Sequence, residues 1–528
     1  MIARRPGRWV PWIVLGAAVA WLLVREWHYA GWMDDDAFIS FRYARNLARG
    51  LGLVFNPGER VEGYTNFLWT VLMAAVAKTG LDIPRAAQVL GTVFSLASLG
   101  VVVYLARALG IGARGAVEGS WLSRLLPVLP AVLLCVSETW AVWAVGGLEN
   151  VFAAFWVLLA VAAYLRFRAA SRPSAPYAAA VSCVLAALTH PAHTLVAMVL
   201  GLALGWDARR GTRRWRPFVV FSALFGGLYG GYFILRAIYY GSLLPNTFYA
   251  KVGMSAAMLQ RGGTYLGAML IAFPFVFALC GWAGVLWFRR RGAAAPEADD
   301  RARHPAGVLL GTVAAYLLYA LAIGGEAFPA LRLLVVPLPL AAIVAVWSLQ
   351  AFRVPVRAAA ALVLVAGTAA CSYWNPKMRQ LDFRIEGDAL GVYRAAGLYL
   401  KQNLPPSTLL AYSGAGVLAY YCELPFLDTL GLTDKHIART TAKDIGLGMA
   451  GHEKGDGAYV LSRHPDYVMF TGAPISSPAP RFRSDHELNA LPEFHFQYQL
   501  TKVPFRYTTR QTRALQAELY LYKRMTAR

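Results

Sequence analysis

The chain has 528 residues, of which 57% are hydrophobic and only 15% are charged, and its formal net charge is +22. An ordinary soluble domain is about 45–50% apolar with glycine included and about 25% charged, so this composition excludes a soluble enzyme. The 16 Trp, 26 Tyr and 26 Phe residues exclude an intrinsically disordered chain. We therefore predict a polytopic α-helical membrane protein with one water-exposed part.

Apolar runs that are long enough to cross a bilayer, or nearly so, recur along the first 374 residues. The first run follows three arginines, as in a signal peptide, but it lacks a clean cleavage site, so we predict a retained helix. A shorter run at 67–77 is predicted to lie at the outer interface or to re-enter the membrane. The eleven predicted transmembrane helices cover residues 10–24, 84–107, 125–142, 150–165, 177–189, 193–206, 217–237, 265–288, 306–323, 331–350 and 356–374.

The arginine clusters between these helices indicate the orientation of the chain. With a cytoplasmic N-terminus, 21 of the 32 Lys and Arg residues before position 375 fall on the cytoplasmic side. This bias agrees with the positive-inside rule. No basic stretch interleaves with aromatic residues as in a nucleic-acid-binding surface. We therefore predict a multi-pass protein of the cytoplasmic membrane, with a cytoplasmic N-terminus and no nucleic-acid partner.

The last part of the chain, 376–528, differs from the predicted transmembrane domain at 1–375. Short apolar stretches alternate there with polar turns, for example at 408–412, 425–428 and 467–470. This pattern predicts a soluble α/β domain of about 150 residues. Because the number of predicted spans is odd, this domain is expected to be extracytoplasmic.

The predicted first outer loop, at about 30–70, opens with three adjacent carboxylates at 34–36. Adjacent carboxylates repel one another, and they are costly at a membrane interface unless a cation, a proton or a polar substrate compensates them. One interpretation is a helix cap ahead of 38–48. The other is a catalytic carboxylate.

The loop contains two long patterns. D-D-A-F-I-S-x-R-Y-A-x-N-L begins at Asp35, and G-x-V-x-N-P-G-x-R-V-E-G-Y-T-N-x-L-W ends at Trp69. Together they resemble the first extracytoplasmic loop of the arabinofuranosyltransferase B type of membrane glycosyltransferases, which are multi-spanning enzymes of the GT-C class. Further similarities lie at 146–149, 240–247, 324–337 and, more loosely, 428–432.

The resemblance implies a GT-C-like fold in a bacterial membrane and sugar transfer from a polyprenyl-phosphate donor, with decaprenyl-phospho-arabinofuranose as the type donor. It implies a cell-envelope glycan or another extracytoplasmic glycoconjugate as the acceptor. Two stretches, 190–193 and 326–328, depart from the family's usual residues. The donor sugar therefore stays open between arabinofuranose and another sugar such as a hexose.

Glycosyl transfer needs a carboxylate that takes the proton of the acceptor hydroxyl or stabilises an oxocarbenium-like centre. Asp35 and Asp36 are the candidates, and on the resemblance either could be the base. The lipid phosphate needs cations or amide donors at the outer interface. The predicted donor-phosphate ligands are Lys251, Arg332, Asn246 and Tyr249. For Lys251 and Arg332 the alternative is snorkelling at a helix end.

Polar and aromatic side chains near the outer helix ends are candidates for contacts with the sugar or the acceptor. They are Arg42, Glu62, Tyr64, Asn66, Glu149, His190 and Glu326. The alternatives are a structured turn for 62–66 and a helix cap for Glu149. A divalent cation on Asp35 and Asp36 is possible. His190 and His193 lack a clear third metal ligand, and no other cofactor is predicted.

Two other functions compete with sugar transfer. A transporter or flippase of a lipid-linked saccharide would place ionisable residues in the middle of its helices and would contain inverted repeats. Here the acids lie almost only at helix ends, and no convincing repeat of the 30–70 loop is present. A non-catalytic scaffold for polysaccharide assembly would use the C-terminal domain as a binding module.

Overall fold

A computed structural model describes residues 9–113, 121–170, 174–211, 214–253, 255–289, 297–375, 381, 388–442, 445–472, 475–508 and 514–525. The described residues before 376 are mainly helical. Their α-helices are α1 (Val10–Tyr29), α2 (Asp35–Ala48), α3 (Phe67–Lys78), α4 (Ile83–Ala108), α5 (Trp121–Leu125), α6 (Leu129–Cys135), α7 (Glu138–Val145), α8 (Asn150–Ala170), α9 (Ala175–Thr189), α10 (Thr194–Arg209), α11 (Arg216–Tyr240), α12 (Asn246–Lys251), α13 (Ala256–Ala272), α14 (Pro274–Arg289), α15 (Glu297–Ala322), α16 (Pro337–Leu349) and α17 (Val354–Tyr373).

Within the described residues, seven helices are long and apolar enough to cross a membrane, namely α1, α4, α8, α10 with the short turn before it, α11, α15 and α17. The bent pair α13–α14 raises this number to as many as eight. Helices α3, α9 and α16 are apolar but shorter, and α3 covers the run at 67–77 that was expected to be short. The chain is therefore a multi-spanning membrane protein, as predicted.

Two of the predicted continuous spans are wrong, because the structure interrupts them. The span at 265–288 bends by 98° between α13 and α14. Phe273 leaves helical geometry there (φ −134°, ψ 52°), because Pro274 has no N–H and disfavours a helical residue before it. The span at 125–142 is divided among α5, α6 and α7. Ser137 is extended (ψ 116°) and its side chain caps α7 by accepting the N–H of Trp140.

The interior of the helical domain is built around α16. Each of its 13 residues is buried, which is expected of a helix that is apolar on every face and surrounded by other helices. Helices α14, α15 and α6 pack against it. By contrast, only 6% of the most apolar stretch of α11 is buried inside the protein, so most of the surface of this helix is available to lipid.

The C-terminal region is an α/β domain, as predicted. Its elements are α18 (Ala389–Asn403), β1 (Leu410–Tyr412), α19 (Val417–Cys422), β2 (Phe426–Asp428), α20 (Gly457–Ser462), β3 (Tyr467–Val468), β4 (Phe470–Thr471), β5 (Ser476–Ser477), α21 (Arg483–Asn489), α22 (Pro492–Gln497), β6 (Tyr498–Thr508) and β7 (Ala514–Arg524). The five-stranded sheet has the order β2-β1-β3-β7-β6, with β1 parallel to β2 and β3 and with β7 antiparallel to β3 and β6. Strand β4 pairs with β5 in a separate two-stranded sheet. The expected start of this domain, 376, lies outside the described residues.

Candidate active site

The three adjacent carboxylates form the N-terminus of α2, and each has a different environment. Asp34 is the N-cap, and its Oδ1 accepts the backbone N–H of Asp36 at 3.0 Å. Aspartate is favoured there because the first N–H groups of a helix have no partner within the helix. Burial and the neighbouring charge of Asp36 raise the pKa of Asp34 to about 8.

Asp35 faces the C-terminal domain. Its Oδ1 accepts the backbone N–H of Val417, the first residue of α19, at 2.8 Å. Gly416 allows this approach, because a Cβ atom on it would lie 2.1 Å from the backbone oxygen of Asp35. Asp35 therefore joins the two domains.

Asp36 faces the membrane helices and forms an ion pair. Lys251 Nζ lies 3.3 Å from Asp36 Oδ2, and the two side chains are 33% and 28% exposed. Burial by itself would raise the pKa of Asp36, but the charges of Lys251 and Arg332 lower it below its ordinary value. Asp36 is therefore an ionised carboxylate that a ligand can reach.

A second ion pair lies beside the first. Arg332 donates from Nε and Nη2 to Glu326 Oε2, at 3.0 and 2.7 Å. Its guanidinium also stacks on Phe328, 3.7 Å from the ring centroid. Lys251 Nζ lies 5.6 Å from the same ring. Phe328 therefore holds the two cations near each other while each keeps its own carboxylate.

Two cavities meet at Asp36. The first cavity, of about 410 Å³, opens among the ends of the membrane helices. The second cavity, of about 430 Å³, lies between α2 and the C-terminal domain. The residues that line both are Asp36, Ile39, Lys251, Ala327, Phe328, Leu432, Ala450 and Gly451. The Asp36–Lys251 pair thus belongs to the wall between two compartments.

The first cavity brings together most of the ligands predicted from the sequence. They are Asp36, Tyr64, Asn66, Glu149, His190, Lys251, Glu326 and Arg332. Asn66 Nδ2 donates to Glu149 Oε2 at 2.6 Å, and Ser40 Oγ donates to Asn66 Oδ1 at 2.9 Å. Burial raises the pKa of Glu149. This network orients a carboxyl, an amide and a hydroxyl along one wall, a set that can bind a sugar.

The second cavity combines aromatic and polar side chains from both domains. Tyr393, Tyr412 and Phe482 supply aromatic surface, and Arg481 and His452 supply nitrogen atoms. Asp34 and Asp35 lie at its base, on the side of α2. Aromatic faces with polar edges suit a polyhydroxylated ligand such as a glycan.

The structure does not bring Arg42 to either cavity. Its guanidinium is buried and donates to the carbonyls of Phe55, Ala419 and Leu424 at 2.9, 2.7 and 2.8 Å. A fourth bond, of 3.1 Å, goes to Asn56 Oδ1. Because two of these carbonyls belong to the C-terminal domain, Arg42 holds that domain on α2.

Glu62 and Asn246 also lie outside the cavity walls and support α12, which carries Lys251. Glu62 Oε2 accepts from Arg236 Nε at 2.7 Å in a buried ion pair, and its carbonyl accepts the N–H of Asn246. Asn246 Nδ2 donates to three carbonyls of the loop at 431–434. Tyr249 lies outside the cavities as well, with the guanidinium of Arg439 4.5 Å from its ring.

The sequence offered two possible metal sites, one at Asp35 and Asp36 and one at His190 and His193, and the side chains around each decide whether it could hold an ion. Within the described ranges, no three His, Cys, Asp or Glu side chains are grouped closely enough to hold a metal ion. His190 Nδ1 accepts the N–H of Ala192, and His193 Nδ1 bonds to Tyr316 at 2.8 Å. Asp35 and Asp36 contact different partners, the backbone N–H of Val417 and the ammonium of Lys251.

Sequence comparison relates the chain to two curated proteins, each described as a terminal beta-(1->2)-arabinofuranosyltransferase. The Mycobacterium tuberculosis protein is 32% identical over 231 residues, which cover 42% of this chain and 35% of that protein. The Corynebacterium glutamicum protein is 28% identical over 335 residues, which cover 58% of this chain and 46% of that protein. The matched part thus spans about a third to a half of each relative. The predicted resemblance is confirmed.

Two further comparisons concern the fold and the C-terminal domain. ArnT from Cupriavidus metallidurans, in a crystal structure with bound undecaprenyl phosphate, superposes with a TM-score of 0.53 at 14% identity, covering 80% of this chain and 85% of that one. The fold is the GT-C fold of ArnT. Residues 382–521 match a family model described as a domain of unknown function, DUF8728.

Several residues of the two cavities were not among the predicted ligands. Asp34 was recognised only as part of the acidic run, although its position next to Asp35 was a usable signal. Ser40, Arg261 and Tyr319 line the first cavity. Arg481 and His452 of the second cavity carry no local signal, because each is an ordinary polar residue in a loop until the C-terminal domain folds over α2.

Proposed function

We propose that the chain is an integral-membrane glycosyltransferase that moves a sugar, arabinofuranose, from a polyprenyl-phosphate donor to a hydroxyl group of a cell-envelope glycan. One observation carries the proposal: the carboxylate of Asp36, paired with Lys251, lies at the junction of a cavity among membrane helices and a cavity beneath the C-terminal domain. A transferase needs such a place, because its lipid-borne donor and its water-borne acceptor approach from different directions. The descriptions of the two curated relatives support arabinofuranose as the sugar.

The first cavity is proposed to hold the donor. Lys251 and Arg332 are two cations near each other, as an anionic lipid phosphate requires. The undecaprenyl phosphate bound to ArnT, which has the same fold, supports a lipid phosphate as the ligand. The sugar would lie along the wall formed by Asn66 and Glu149, whose side chains are already oriented by hydrogen bonds.

The second cavity is proposed to hold the acceptor glycan. Its aromatic surface from Tyr393, Tyr412 and Phe482 suits stacking against sugar rings, and Arg481 can donate to hydroxyl oxygens. The acceptor hydroxyl would then meet Asp36 from the side opposite to the donor. The C-terminal domain therefore contributes directly to acceptor binding.

The chemical step assigns one role to each charged group. Asp36 accepts the proton of the acceptor hydroxyl, whose oxygen forms the new bond to the anomeric carbon of the sugar. The bond between that carbon and the phosphate oxygen breaks, and its electron pair stays on the phosphate. Lys251 and Arg332 stabilise the negative charge that develops there. Asp35, bonded to Val417, is the weaker candidate for the base.

Arginines at the helix ends far from the site support an extracytoplasmic position for it in a bacterial cytoplasmic membrane. Helix α8 begins next to Glu149, at the site, and carries Arg168 in its last turn. Helix α10 likewise begins near the site and carries Arg209 in its last turn. The positive-inside rule then places the arginines in the cytoplasm and the site outside. Phe496 is 82% exposed in the C-terminal domain, so the thiol of a Phe496→Cys variant should react with an impermeant reagent added outside the cell.

The deciding experiment compares Asp36→Asn with Asp35→Asn in purified protein. A panel of polyprenyl-phosphate pentoses and hexoses is supplied, and the product is identified by mass spectrometry. Asp36→Asn should lower kcat by about 100- to 10,000-fold, the usual contribution of a general base. Asp35→Asn should lower it much less, because an asparagine oxygen can still accept from Val417. Full activity of Asp36→Asn would contradict the proposal, and lipid-linked sugar that crosses vesicles without a new glycosidic bond would indicate a transporter.

A further inference from the structure

The Asp36–Lys251 pair joins the two groups that the reaction needs apart. A carboxylate that is neutralised by an ammonium 3.3 Å away is a poor proton acceptor, because the cation stabilises its ionised form. A lysine that is neutralised by a carboxylate is likewise a weaker phosphate ligand. The paired arrangement is therefore not the arrangement that carries out the step.

Lys251 differs from the other cations of the first cavity in having this single acceptor. Arg332 is held twice by Glu326, and Arg261 is held by Glu453 and by the carbonyl of Gly324. Among the described residues, Lys251 has an ion pair with Asp36 and no other carboxylate. An incoming anion can therefore recruit Lys251 by breaking one ion pair, whereas Arg332 would have to give up two hydrogen bonds and Arg261, which also donates to the carbonyl of Gly448, three.

The surroundings of Lys251 leave its side chain room to move. It is the last residue of α12, and the next residue, Val252, is extended (φ −104°, ψ 134°). Its stem runs past Gly451 of the C-terminal domain, where a Cβ atom would lie 3.2–3.3 Å from Cγ, Cδ and Cε. Glycine at this position keeps the path open. A flexible four-carbon stem can then carry the ammonium from one side of the wall to the other.

We propose that the donor phosphate takes Lys251 from Asp36, and that this exchange turns Asp36 into the catalytic base only when a donor is bound. The inference rests on the proposed function and adds a binding order, with the donor before the acceptor. The exchange keeps Asp36 paired with Lys251 while the donor cavity is empty. After the exchange the carboxylate faces the acceptor hydroxyl without a counter-ion and takes its proton.

A binding experiment without turnover tests the exchange, with undecaprenyl phosphate in detergent as the probe at constant ionic strength. Asp36→Asn releases Lys251 in advance and should bind the probe about fivefold more tightly than the wild type, from the usual strength of such a pair. Loss of simple charge repulsion would also tighten binding, so Lys251→Gln provides the second arm of a double-mutant cycle. In that background, Asp36→Asn should change the Kd less than twofold.

Asp35→Asn is the matched control, because it removes an equal charge one residue away and should leave the Kd within twofold. If Asp36→Asn aggregates during purification, Asp36→Ala takes its place with the same expectation. Equal tightening in the wild-type and Lys251→Gln backgrounds, or no tightening in either, would overturn the exchange. If the protein forms a glycosidic product but the double-mutant cycle shows no coupling between Asp36 and Lys251, only the exchange is refuted. If the cycle shows the coupling but no donor of the panel gives a product, the proposed function is refuted, and a lipid-phosphate site with an exchanging lysine remains.

Discussion

Arg42→Met is expected to loosen the attachment of the C-terminal domain to α2. The substitution keeps an unbranched side chain but removes the donors to Ala419 and Leu424, two carbonyls of the C-terminal domain. The third carbonyl, that of Phe55, keeps a bond from Asn46. A buried acceptor left without a partner costs about 1–3 kcal/mol. The carbonyl of Ala419 keeps only the weak thiol donor of Cys422, whose Sγ lies 3.6 Å away, so the two carbonyls together predict a loss of about 2–4 kcal/mol.

The assay is thermal unfolding of the detergent-purified protein, followed by intrinsic fluorescence from its 16 tryptophans. A loss of about 2 kcal/mol or more should lower the apparent Tm by at least about 4 °C for a domain of about 150 residues. Arg49→Met is the control at the C-cap of the same helix, because its side chain is 51% exposed and its pair with Glu423 is worth less than about 1 kcal/mol. An unchanged Tm together with a raised KM for the acceptor would refute the reasoning and restore Arg42 as a sugar ligand.

Two further predictions concern packing and pH. Gly91→Ala should destabilise the helical domain by about 1–3 kcal/mol or more, because the new Cβ would lie 1.8 Å from the carbonyl oxygen of Ala144. Gly100→Ala on the same helix is the control and should be neutral, because its Cβ would meet nothing within 4 Å. Thermal unfolding of the two variants compares them directly. The pairs of Glu423 with Arg49 and Lys401 lower its pKa to about 2, so the stability it contributes is complete above about pH 5 and is lost as the pH falls toward 2. Glu423→Gln should therefore lower the Tm by a few degrees at pH 7 and progressively less toward pH 3, and an equal loss at both pH values would contradict this origin.

The sequence by itself determined the class of fold and the neighbourhood of the site. A helix that crosses a bilayer must be apolar over its whole length, and seven of the eleven spans predicted from the sequence coincide with described helices that are long and apolar enough to cross a membrane. Charges at the ends of apolar helices are costly, so Asp36, Lys251 and Arg332 were conspicuous before any contact was known. The alternation of strands and turns predicted the α/β domain in the same way.

The tertiary structure alone decided what each polar residue does. Neighbouring residues of a helix point about 100° apart, so Asp35 and Asp36 must face different partners, but only the docked C-terminal domain shows that Asp36 lines both cavities and Asp35 lines the second one alone. Arg42 and Asn246 had the residue types of ligands, yet backbone carbonyls from distant parts of the chain occupy their donors. A sequence pattern reports the type and spacing of side chains, whereas hydrogen-bond partners depend on which segments meet in space, and that is set by the packing of the whole chain.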